Sequence, residues 1–259
     1  MAIHPTAIVE KSVEVGNNVE IGAYAVIKGN VKIGDNTIIG EHAYIQGTTI
    51  IGKNNKIYPF ASIGSDPQDL RYQGEETKLI IGDNNIFREF VTINRGSTSG
   101  HGITKIGNNN LFMAYSHVAH DCEVKNFIIL ANNATLAGHI TVENFAIIGG
   151  LSAIHQFCRI GEYAMIAGKT GVAKDIPPFM LASGQRAKLY GPNLVGLKRH
   201  GFSRERIRII KKVYNILFKS KEKFQENCEL LANEYSDNED VMKIIQFIRK
   251  TERGITKGD

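Results

Sequence analysis

The chain has 259 residues, of which 42% are hydrophobic and 22% are charged, and its formal net charge at pH 7 is +5. This length allows one large domain or two smaller ones. No apolar run approaches the eighteen or so residues that cross a bilayer, and no basic and apolar leader precedes the repeat that begins at Ile3. We therefore expect a soluble, cytoplasmic protein without a membrane span.

An aliphatic residue or phenylalanine recurs at every sixth position through most of the first two thirds of the chain. The series runs from Ile3 to Ile63, from Ile81 to Ile93 and from Ile106 to Val172, and the residue two positions before each member is usually small. A period of six is neither the 3.6 of a helix nor the 2 of an ordinary strand. A hexapeptide repeat is typical of a parallel β-helix.

Glycine, asparagine and aspartate cluster just after the aliphatic position, as in Ile33–Asn36, Ile51–Asn55 and Ile106–Asn110. These residues tolerate positive φ and tight corners. Each hexapeptide is therefore predicted to form one short strand and a turn, with three of them making an eighteen-residue coil stacked at about 4.8 Å. We predict this β-helix over residues 1–185, with ejected loops near 65–80 and 97–105, where function is commonly carried.

The cysteines fit the same register. Cys122 and Cys158 lie two eighteen-residue coils apart, which would separate them by about 9–10 Å, too far for a disulfide. We expect both to be small interior residues.

A basic helical region is predicted over residues 186–259. Ser203 is a candidate N-cap for a first helix, a second covers Lys221–Tyr235, and a third starts near Ser236. Between Arg186 and Lys223 there are twelve lysines or arginines against two glutamates, a net charge of +10. A solvated helix face and a docking surface for an acidic partner both fit this charge, whereas nucleic acid is not expected, because interleaved aromatics and a reading motif are missing.

Four of the eight histidines fall in one stretch of the repeat: His117, His120, His139 and His155. On an eighteen-residue coil, His139 lies one coil plus one residue beyond His120, so the two are expected to be neighbours. Three imidazoles can hold zinc, and a histidine can act as a general base near neutral pH. Position alone leaves both chemistries open.

Longer strings resemble one known family. These are residues 117–122 (HVAHDC), 130–139 (LANNATLAGH), 147–158 (IIGGLSAIHQFC), 67–70 (PQDL) and 193–199 (NLVGLKR). In this order and spacing, and over essentially the whole chain, the sequence closely resembles the UDP-N-acetylglucosamine acyltransferases.

The resemblance implies a mainly β fold, a left-handed parallel β-helix followed by a small helical domain, assembled as a homotrimer. It also implies transfer of an R-3-hydroxyacyl group from acyl carrier protein to the 3-hydroxyl of UDP-N-acetylglucosamine, the first step of lipid A biosynthesis. The acyl group would arrive on the 4'-phosphopantetheine of the carrier protein as a substrate, so no cofactor and no metal are expected.

Site residues follow from the matching motifs. His120 would be the general base, Asp121 would support its charge, and the N–H of Gly138 would donate to the developing oxyanion. Substrate-binding roles are implied for nine more residues: Gln68, Asp69 and Arg71 on the first loop, of which Asp69 and Arg71 would reach the glucosamine ring across a subunit boundary; His117, His139, His155 and Gln156 for the sugar, diphosphate and pantetheine; and Asn193 and Arg199 for the nucleotide.

Two positions depart from the family pattern, and several alternatives stay open. Val195 stands where many members carry Glu, and His200 where a second Arg is common, which puts nucleotide affinity in doubt. Gly168 leaves room for a longer acyl chain. The alternatives are an N-acyltransferase acting on a 3-amino UDP-sugar or later in the same pathway, a CoA-dependent acetyltransferase, and a zinc-dependent carbonic anhydrase on the same coil.

Overall fold

The computed structural model describes residues 2–219 and 223–258. Most of their strands are two residues long. The first fourteen are β1 (Ala2–Ile3), β2 (Ile8–Val9), β3 (Glu14–Val15), β4 (Glu20–Ile21), β5 (Val26–Ile27), β6 (Val31–Ile33), β7 (Ile38–Ile39), β8 (Tyr44–Ile45), β9 (Thr48–Ile51), β10 (Lys56–Ile57), β11 (Ser62–Ser65), β12 (Lys78–Ile81), β13 (Ile86–Phe87) and β14 (Thr92–Asn94). The other fourteen are β15 (Ile103–Ile106), β16 (Leu111–Phe112), β17 (His117–Val118), β18 (Glu123–Val124), β19 (Ile129–Leu130), β20 (Thr135–Leu136), β21 (Thr141–Val142), β22 (Ile147–Ile148), β23 (Ala153–Ile154), β24 (Arg159–Ile160), β25 (Met165–Ile166), β26 (Gly171–Val172), β27 (Met180–Ser183) and β28 (Lys188–Pro192).

The strands form three sheets, one on each face of a prism. Sheet A contains β1 and every third strand up to β25, followed by β27 and β28; sheet B runs in the same way from β2 to β26, and sheet C from β3 to β24. Each short strand pairs in parallel with the strand one coil further on, so that Ile21 faces Ile39 and Ile27 faces Ile45. The predicted left-handed parallel β-helix with a C-terminal helical region is confirmed.

The repeat aliphatics fill the interior. Ile27, Ile45 and Ile63 are completely buried, and their removal from water is the main source of stability in such a fold. Cys122 and Cys158 are buried and unpaired, which confirms the prediction that they are small interior residues.

The three corners of the prism differ in the loops that leave them. The chain passes from sheet A to B to C and back, and we call the corners the AB, BC and CA edges. The loops of residues 66–77 and 95–102 both leave at the BC edge, because each joins a strand of sheet B to the next strand of sheet C. We call them loop 1 and loop 2. Stacking of the coils therefore places the two loops next to each other and next to residues 119–122 at the same edge.

The C-terminal region is helical, as predicted from its spacing. It contains α1 (Leu194–Arg199), α2 (Arg204–Tyr214), a π-helical turn (Asn215–Lys219), α3 (Phe224–Glu234) and α4 (Glu239–Arg249). The Ser203 hydroxyl accepts a hydrogen bond from the N–H of Arg206, as its N-cap role requires. Lys221, where we placed the start of the second helix, lies outside the described residues.

Two boundaries differ from expectation. The third predicted helix begins at Glu239 rather than near Ser236, because residues 235–237 form a turn and Asn238 caps the helix by accepting from the N–H of Val241. Sheet A continues past residue 185, because β28 pairs antiparallel with β27. The division into domains at residue 185 stays a prediction.

Across the described parts of the chain, none of the helices combines the length and the apolar character needed to cross a membrane. The cytoplasmic location stays a prediction.

Candidate active site

The centre of the candidate site is a hydrogen-bonded pair at the BC edge. Nδ1 of His120 lies 2.8 Å from Oδ2 of Asp121, whose side chain is completely buried, while that of His120 keeps 13% of its exposure. The two neighbours can meet because Asp121 occupies the corner with φ of +60°. A carboxylate only accepts, so this contact assigns the proton to Nδ1 and leaves Nε2 as an acceptor.

Asp121 forms hydrogen bonds with loop 2 and with β15, the strand that follows it. Its Oδ2 accepts from the N–H of Ser97 at 2.9 Å, and its own N–H donates to the hydroxyl of Thr104 at 2.9 Å. Burial by itself raises the pKa of Asp121, but the hydrogen bonds from His120 and Ser97 outweigh it and lower the pKa below the ordinary value. Asp121 is therefore ionised at neutral pH, and its hydrogen bond orients the His120 imidazole.

Gly138 lies against the other nitrogen of His120. A Cβ at this position would lie 2.8 Å from Cε1 and 2.9 Å from Nε2 of His120, so only glycine fits. Among the residues that the structure describes, the N–H of Gly138 has no hydrogen-bond acceptor. A spare N–H beside a potential base is the arrangement that an oxyanion donor requires.

Two further histidines border the pair. The ring of His139 packs edge-on against His120, with centroids 5.1 Å apart, and stacks on Phe157 at 4.5 Å, so the expected proximity of His139 to His120 is confirmed. His117 Nδ1 is 2.7 Å from the hydroxyl of Thr92. Burial is the main cause that lowers the pKa of both His117 and His139, which keeps them neutral near pH 7.

Loop 1 brings Asp69 to the same edge of the same chain. Arg71 grips the Asp69 carboxylate with Nε and Nη2, both at 3.0 Å, and the hydroxyls of Ser97 and Ser99 donate to Oδ2 at 3.1 and 2.7 Å. These bonds, the contact with Arg71 first, hold the pKa of Asp69 far below its usual range. Asp69 thus ties the two loops together, whereas Gln68 points its exposed side chain to solvent. A contact of this loop across a subunit boundary stays a prediction.

His155 and Gln156 lie further along the same edge and are exposed. Nδ1 of His155 lies 3.2 Å from Nη2 of Arg253, which also donates to the carbonyl of Ala173. The C-terminal segment is anchored there, because Thr251 donates to the buried carboxylate of Asp175 at 2.7 Å. The anchored segment thus places Arg253 beside His155, a predicted substrate-binding residue. The sequence did not indicate this contact.

Asn193 and Arg199 do not join the cluster within one chain. Asn193 caps α1 by accepting from the N–H of Gly196, and its amide donates to the carbonyl of Tyr163 at the CA edge. Arg199 ends the same helix and is exposed. One face of the prism therefore separates these two residues from His120.

The two atypical positions lie on or beside α1. Val195 is exposed within the helix, and His200 follows its end, where its ring packs edge-on against Phe145 and Tyr163 at 5.1 Å. His200 therefore already has a packing role at the CA edge.

Not every cation of the basic region is free to bind a partner, because some form ion pairs within the chain. Arg206 makes a bidentate ion pair with the buried Asp240, both bonds at 2.8 Å, and so joins α2 to α4. Arg208 pairs with Glu205 one turn away. Arg204 is exposed and has no ion-pair partner among the described residues. Arg206 is thus structural, and the remaining exposed cations form the candidate docking surface.

The catalytic pair His120–Asp121 and the neighbouring His139 also offer a set of metal-ligand atoms. The ligand atoms of His120, Asp121 and His139 lie within 4.8 Å of one another. Because Nδ1 of His120 is engaged by Asp121, a metal would have to take Nε2, the nitrogen that faces Gly138. General-base chemistry and metal binding are therefore alternative uses of one atom.

Three contributors were missed at the sequence level: Ser97, Thr92 and Arg253. Ser97 stands at the start of the second interruption of the repeat, which was a usable signal. Thr92 lies one coil before His117 on the same sheet, so register could have found it. Arg253 gave no signal, because it lies far from His155 in sequence and outside the repeat.

Comparison with known proteins identifies the family of the chain. Residues 175–256 match the family described as Udp N-acetylglucosamine O-acyltransferase, domain 2, and residues 12–47 match the bacterial transferase hexapeptide repeats. The chain is 54% identical to an acyl-[acyl-carrier-protein]–UDP-N-acetylglucosamine O-acyltransferase of Aliarcobacter butzleri (strain RM4018), over 98% of this chain and 97% of that protein. It is 52% identical to the protein of the same name from Janthinobacterium sp. (strain Marseille), over 98% and 99%.

A solved structure of UDP-N-acetylglucosamine acyltransferase from Campylobacter jejuni superposes with a TM-score of 0.94 at 42% identity, covering 99% of this chain and all of that one. Full-length likeness at this identity, together with the hexapeptide fold and the His–Asp–Gly arrangement, leads to one conclusion. The chain belongs to the UDP-N-acetylglucosamine acyltransferase family.

Proposed function

We propose that the protein transfers an R-3-hydroxyacyl group from acyl carrier protein to the 3-hydroxyl of UDP-N-acetylglucosamine, the first step of lipid A biosynthesis. The observation that carries this reaction is the set of His120, Asp121 and Gly138 at one corner of the β-helix, in a member of this family. An accepting nitrogen, a buried carboxylate behind it and a spare N–H beside it are the three groups that acyl transfer needs.

The steps follow from the atoms present. Nε2 of His120 takes the proton of the sugar hydroxyl as its oxygen attacks the thioester carbonyl carbon, and Asp121 stabilises the imidazolium. The N–H of Gly138 donates to the carbonyl oxygen as it becomes negative, a contribution of about 3 kcal/mol in comparable sites. The C–S bond then breaks, and the carrier thiolate takes the proton from His120. The phosphopantetheine belongs to the carrier, so the proposal needs no cofactor bound to this chain.

We assign the remaining predicted residues by their places. His117 and His139, kept neutral by burial, border the acceptor pocket, and loop 1 with Gln68, Asp69 and Arg71 closes one side of it. His155 and Gln156 lie further along the BC edge, where the diphosphate or the pantetheine arm would pass.

The protein acts as a homotrimer in this proposal, because one chain alone does not assemble the site. Asn193 and Arg199 lie beside the CA edge, whereas the His120–Asp121 pair lies at the BC edge. Packing the CA edge of one subunit against the BC edge of the next brings the two halves together.

Mixed oligomers test this sharing. His120→Ala and Arg199→Ala should each be nearly inactive, but subunits carrying one change each should regain activity after co-expression, since some sites then contain both native residues. Mixed oligomers no more active than the parents, with normal assembly on a sizing column, would show that each chain forms its own site.

The acidic partner suggested by the charge pattern is acyl carrier protein. Exposed cations speed encounter with an acidic protein and make it salt-dependent. Charge reversal at Arg204 and Lys211, leaving Arg206 to hold Asp240, should raise the KM for acyl carrier protein and flatten its salt dependence. An unchanged salt profile would return these residues to the role of a solvated helix face.

The deciding experiment is acyl transfer from a series of R-3-hydroxyacyl carrier proteins to UDP-N-acetylglucosamine, with mass detection of the product. A 3-O-acylated nucleotide sugar supports the proposal and reports the preferred chain length. Product only with the 3-amino analogue would replace the ester with an amide. Bound zinc at one equivalent, with activity lost on chelation, would favour the metal alternative.

A further inference from the structure

Loop 2 meets the catalytic pair through one buried residue. Ser97 retains only 1% of its exposure. Its N–H donates to Oδ2 of Asp121 at 2.9 Å, and its hydroxyl donates to Oδ2 of Asp69 at 3.1 Å. Its carbonyl accepts from the N–H groups of Gly100 and Gly102, at 3.0 and 3.1 Å. Every polar atom of Ser97 is therefore engaged, and two of its partners are carboxylates on different segments.

We infer that Ser97 is a positioning residue that fixes the carboxylate of Asp121 and couples it to loop 1 through Asp69. This role rests on the proposed acyl transfer, because the geometry that Ser97 protects is that of the proposed base. Ser97 touches neither substrate nor reacting atoms in this assignment and acts through its neighbours.

The need for such a residue follows from the Asp121 carboxylate. Its Oδ1 is buried and has no hydrogen-bond partner among the described residues, so the bonds to Oδ2 alone determine how the group is oriented. One comes from His120 and the other from Ser97. Without the second, the carboxylate can rotate about its own axis, and the imidazole that it orients loses its fixed plane.

Loop 2 also packs closely against Asp121 and His139. A Cβ on Gly100 would lie 2.6 Å from Cγ of Asp121 and 2.3 Å from Cε1 of His139. The turn closed by Ser97 thus packs the Gly100 backbone directly against the pair and keeps water from the carboxylate. A shift of Ser97 would move this cover with it.

The link to loop 1 is equally direct. Asp69 is held by Arg71 and Ser99 as well as by Ser97, so the two loops form one hydrogen-bonded unit. Ser99 provides a comparison, since it donates to the same Asp69 oxygen and its hydroxyl lies 3.0 Å from that of Ser97, but it makes no contact with Asp121. Only Ser97 bridges both carboxylates.

The test compares Ser97→Ala with Ser99→Ala in the transfer assay, using the full-length protein. Ser97→Ala keeps the N–H that donates to Asp121 but removes the hydroxyl that anchors Ser97 to Asp69. The N–H then loses its fixed position, so kcat should fall about tenfold with the KM for UDP-N-acetylglucosamine changed less than about threefold. Ser99→Ala should raise that KM while kcat stays within about twofold, because the bonds from Ser97 to Asp69 and to Asp121 both remain. Ser97→Thr, which keeps the hydroxyl, should restore most of kcat.

A double variant separates positioning from simple destabilisation. If Ser97 acts through Asp121, adding Ser97→Ala to Asp121→Asn should change kcat by less than about twofold, because the orientation is already lost. Multiplying effects, or equal losses of kcat in Ser97→Ala and Ser99→Ala, would overturn the inference. Thermal unfolding of each variant shows whether it still folds. If Ser97→Ala does not fold, the kcat of Ser97→Thr is compared with that of the wild type, and a loss of about tenfold or more would overturn the inference. An inactive wild-type protein would instead reject the proposed function and this inference with it.

Discussion

The BC and CA edges of the prism share one backbone conformation at their corners and differ in the side chains at those corners. Corner residues on both edges have positive φ: +57° and +62° at Phe127 and Phe145 on the CA edge, and +60° and +62° at Asp121 and His139 on the BC edge. On the CA edge the rings of Phe127, Phe145 and Tyr163 stack nearly parallel, 4.9 and 4.6 Å apart. On the BC edge His139 also stacks, on Phe157 at 4.5 Å, but it meets its other neighbour His120 at right angles.

The difference comes from what covers each edge. The CA edge turns a regular corner in every coil, so within one chain its rings lie against one another and remain partly exposed. The BC edge ejects both loops, and loop 2 buries the side chain of Asp121 completely. A buried carboxylate interacts with a neighbouring charge more strongly than an exposed one, because the effective dielectric constant around it is lower. In this chain the candidate catalytic pair therefore lies at the corner where loop 2 buries the carboxylate.

The largest expected effect is loss of the base. His120→Ala should reduce turnover by at least about two orders of magnitude, the usual value for a general base, while the protein still folds. His42 is the matched control, because it also occupies a positive-φ corner, on the AB edge, where it stacks between Tyr24 and Phe60. His42→Ala should keep kcat within about twofold. Near-normal activity of His120→Ala would remove it as the base.

Gly138→Ala should come next. The added Cβ must push the His120 ring away, since it would lie 2.8 Å from Cε1, and kcat should fall about a hundredfold because base and oxyanion donor lose their alignment. Gly171→Ala is the control, since its Cβ would meet nothing within 4 Å. Equal activity of the two variants would contradict the placement of Gly138 beside the base.

The fold could be predicted from the sequence, and the site only in part. The hexapeptide period reports packing that repeats in every coil, so one short pattern determined the position of Ile21 and Ile39 alike. The proximity of His120 and His139 followed from the same arithmetic. The contacts of Asp69 with Ser97 could not be predicted, because loops outside the repeat have no register.

Local propensity also has limits in the C-terminal region. The helix over Leu194–Arg199 was not predicted, because its six residues include Gly196 and Val195, which are weak helix formers. Its start depends instead on Asn193, whose side chain both caps the helix and reaches Tyr163. Tertiary contact, rather than sequence period, creates this element.

The ring stack on the CA edge can be probed by its contribution to stability. Phe127 stacks on Phe145 and remains 49% exposed, so Phe127→Ala should lower the free energy of unfolding by only about 1 kcal/mol. Phe127→Asn should cost less than the alanine, because asparagine tolerates positive φ and already occupies the same corner in five earlier coils: Asn18, Asn36, Asn54, Asn84 and Asn109. Thermal unfolding at one protein concentration measures the order of the three proteins, and an alanine more stable than the asparagine would contradict the account.

A pH dependence of stability is also expected near the BC edge. Burial, and then the charge of His120, lower the pKa of His117 in the folded protein, so below its ordinary value near 6.5 the unfolded chain binds a proton that the folded chain does not. The free energy of unfolding should therefore fall as pH drops from about 6.5 towards the lowered pKa, and be flat above that window. His117→Asn should reduce the slope by at most about 1.4 kcal/mol per pH unit, the limit for one proton. Thr92→Val keeps the ring but removes its hydroxyl partner, so it should lower stability at every pH and preserve the slope. Urea unfolding from pH 5 to 8 compares the three proteins, and an identical slope in His117→Asn would mean that other buried groups cause the dependence.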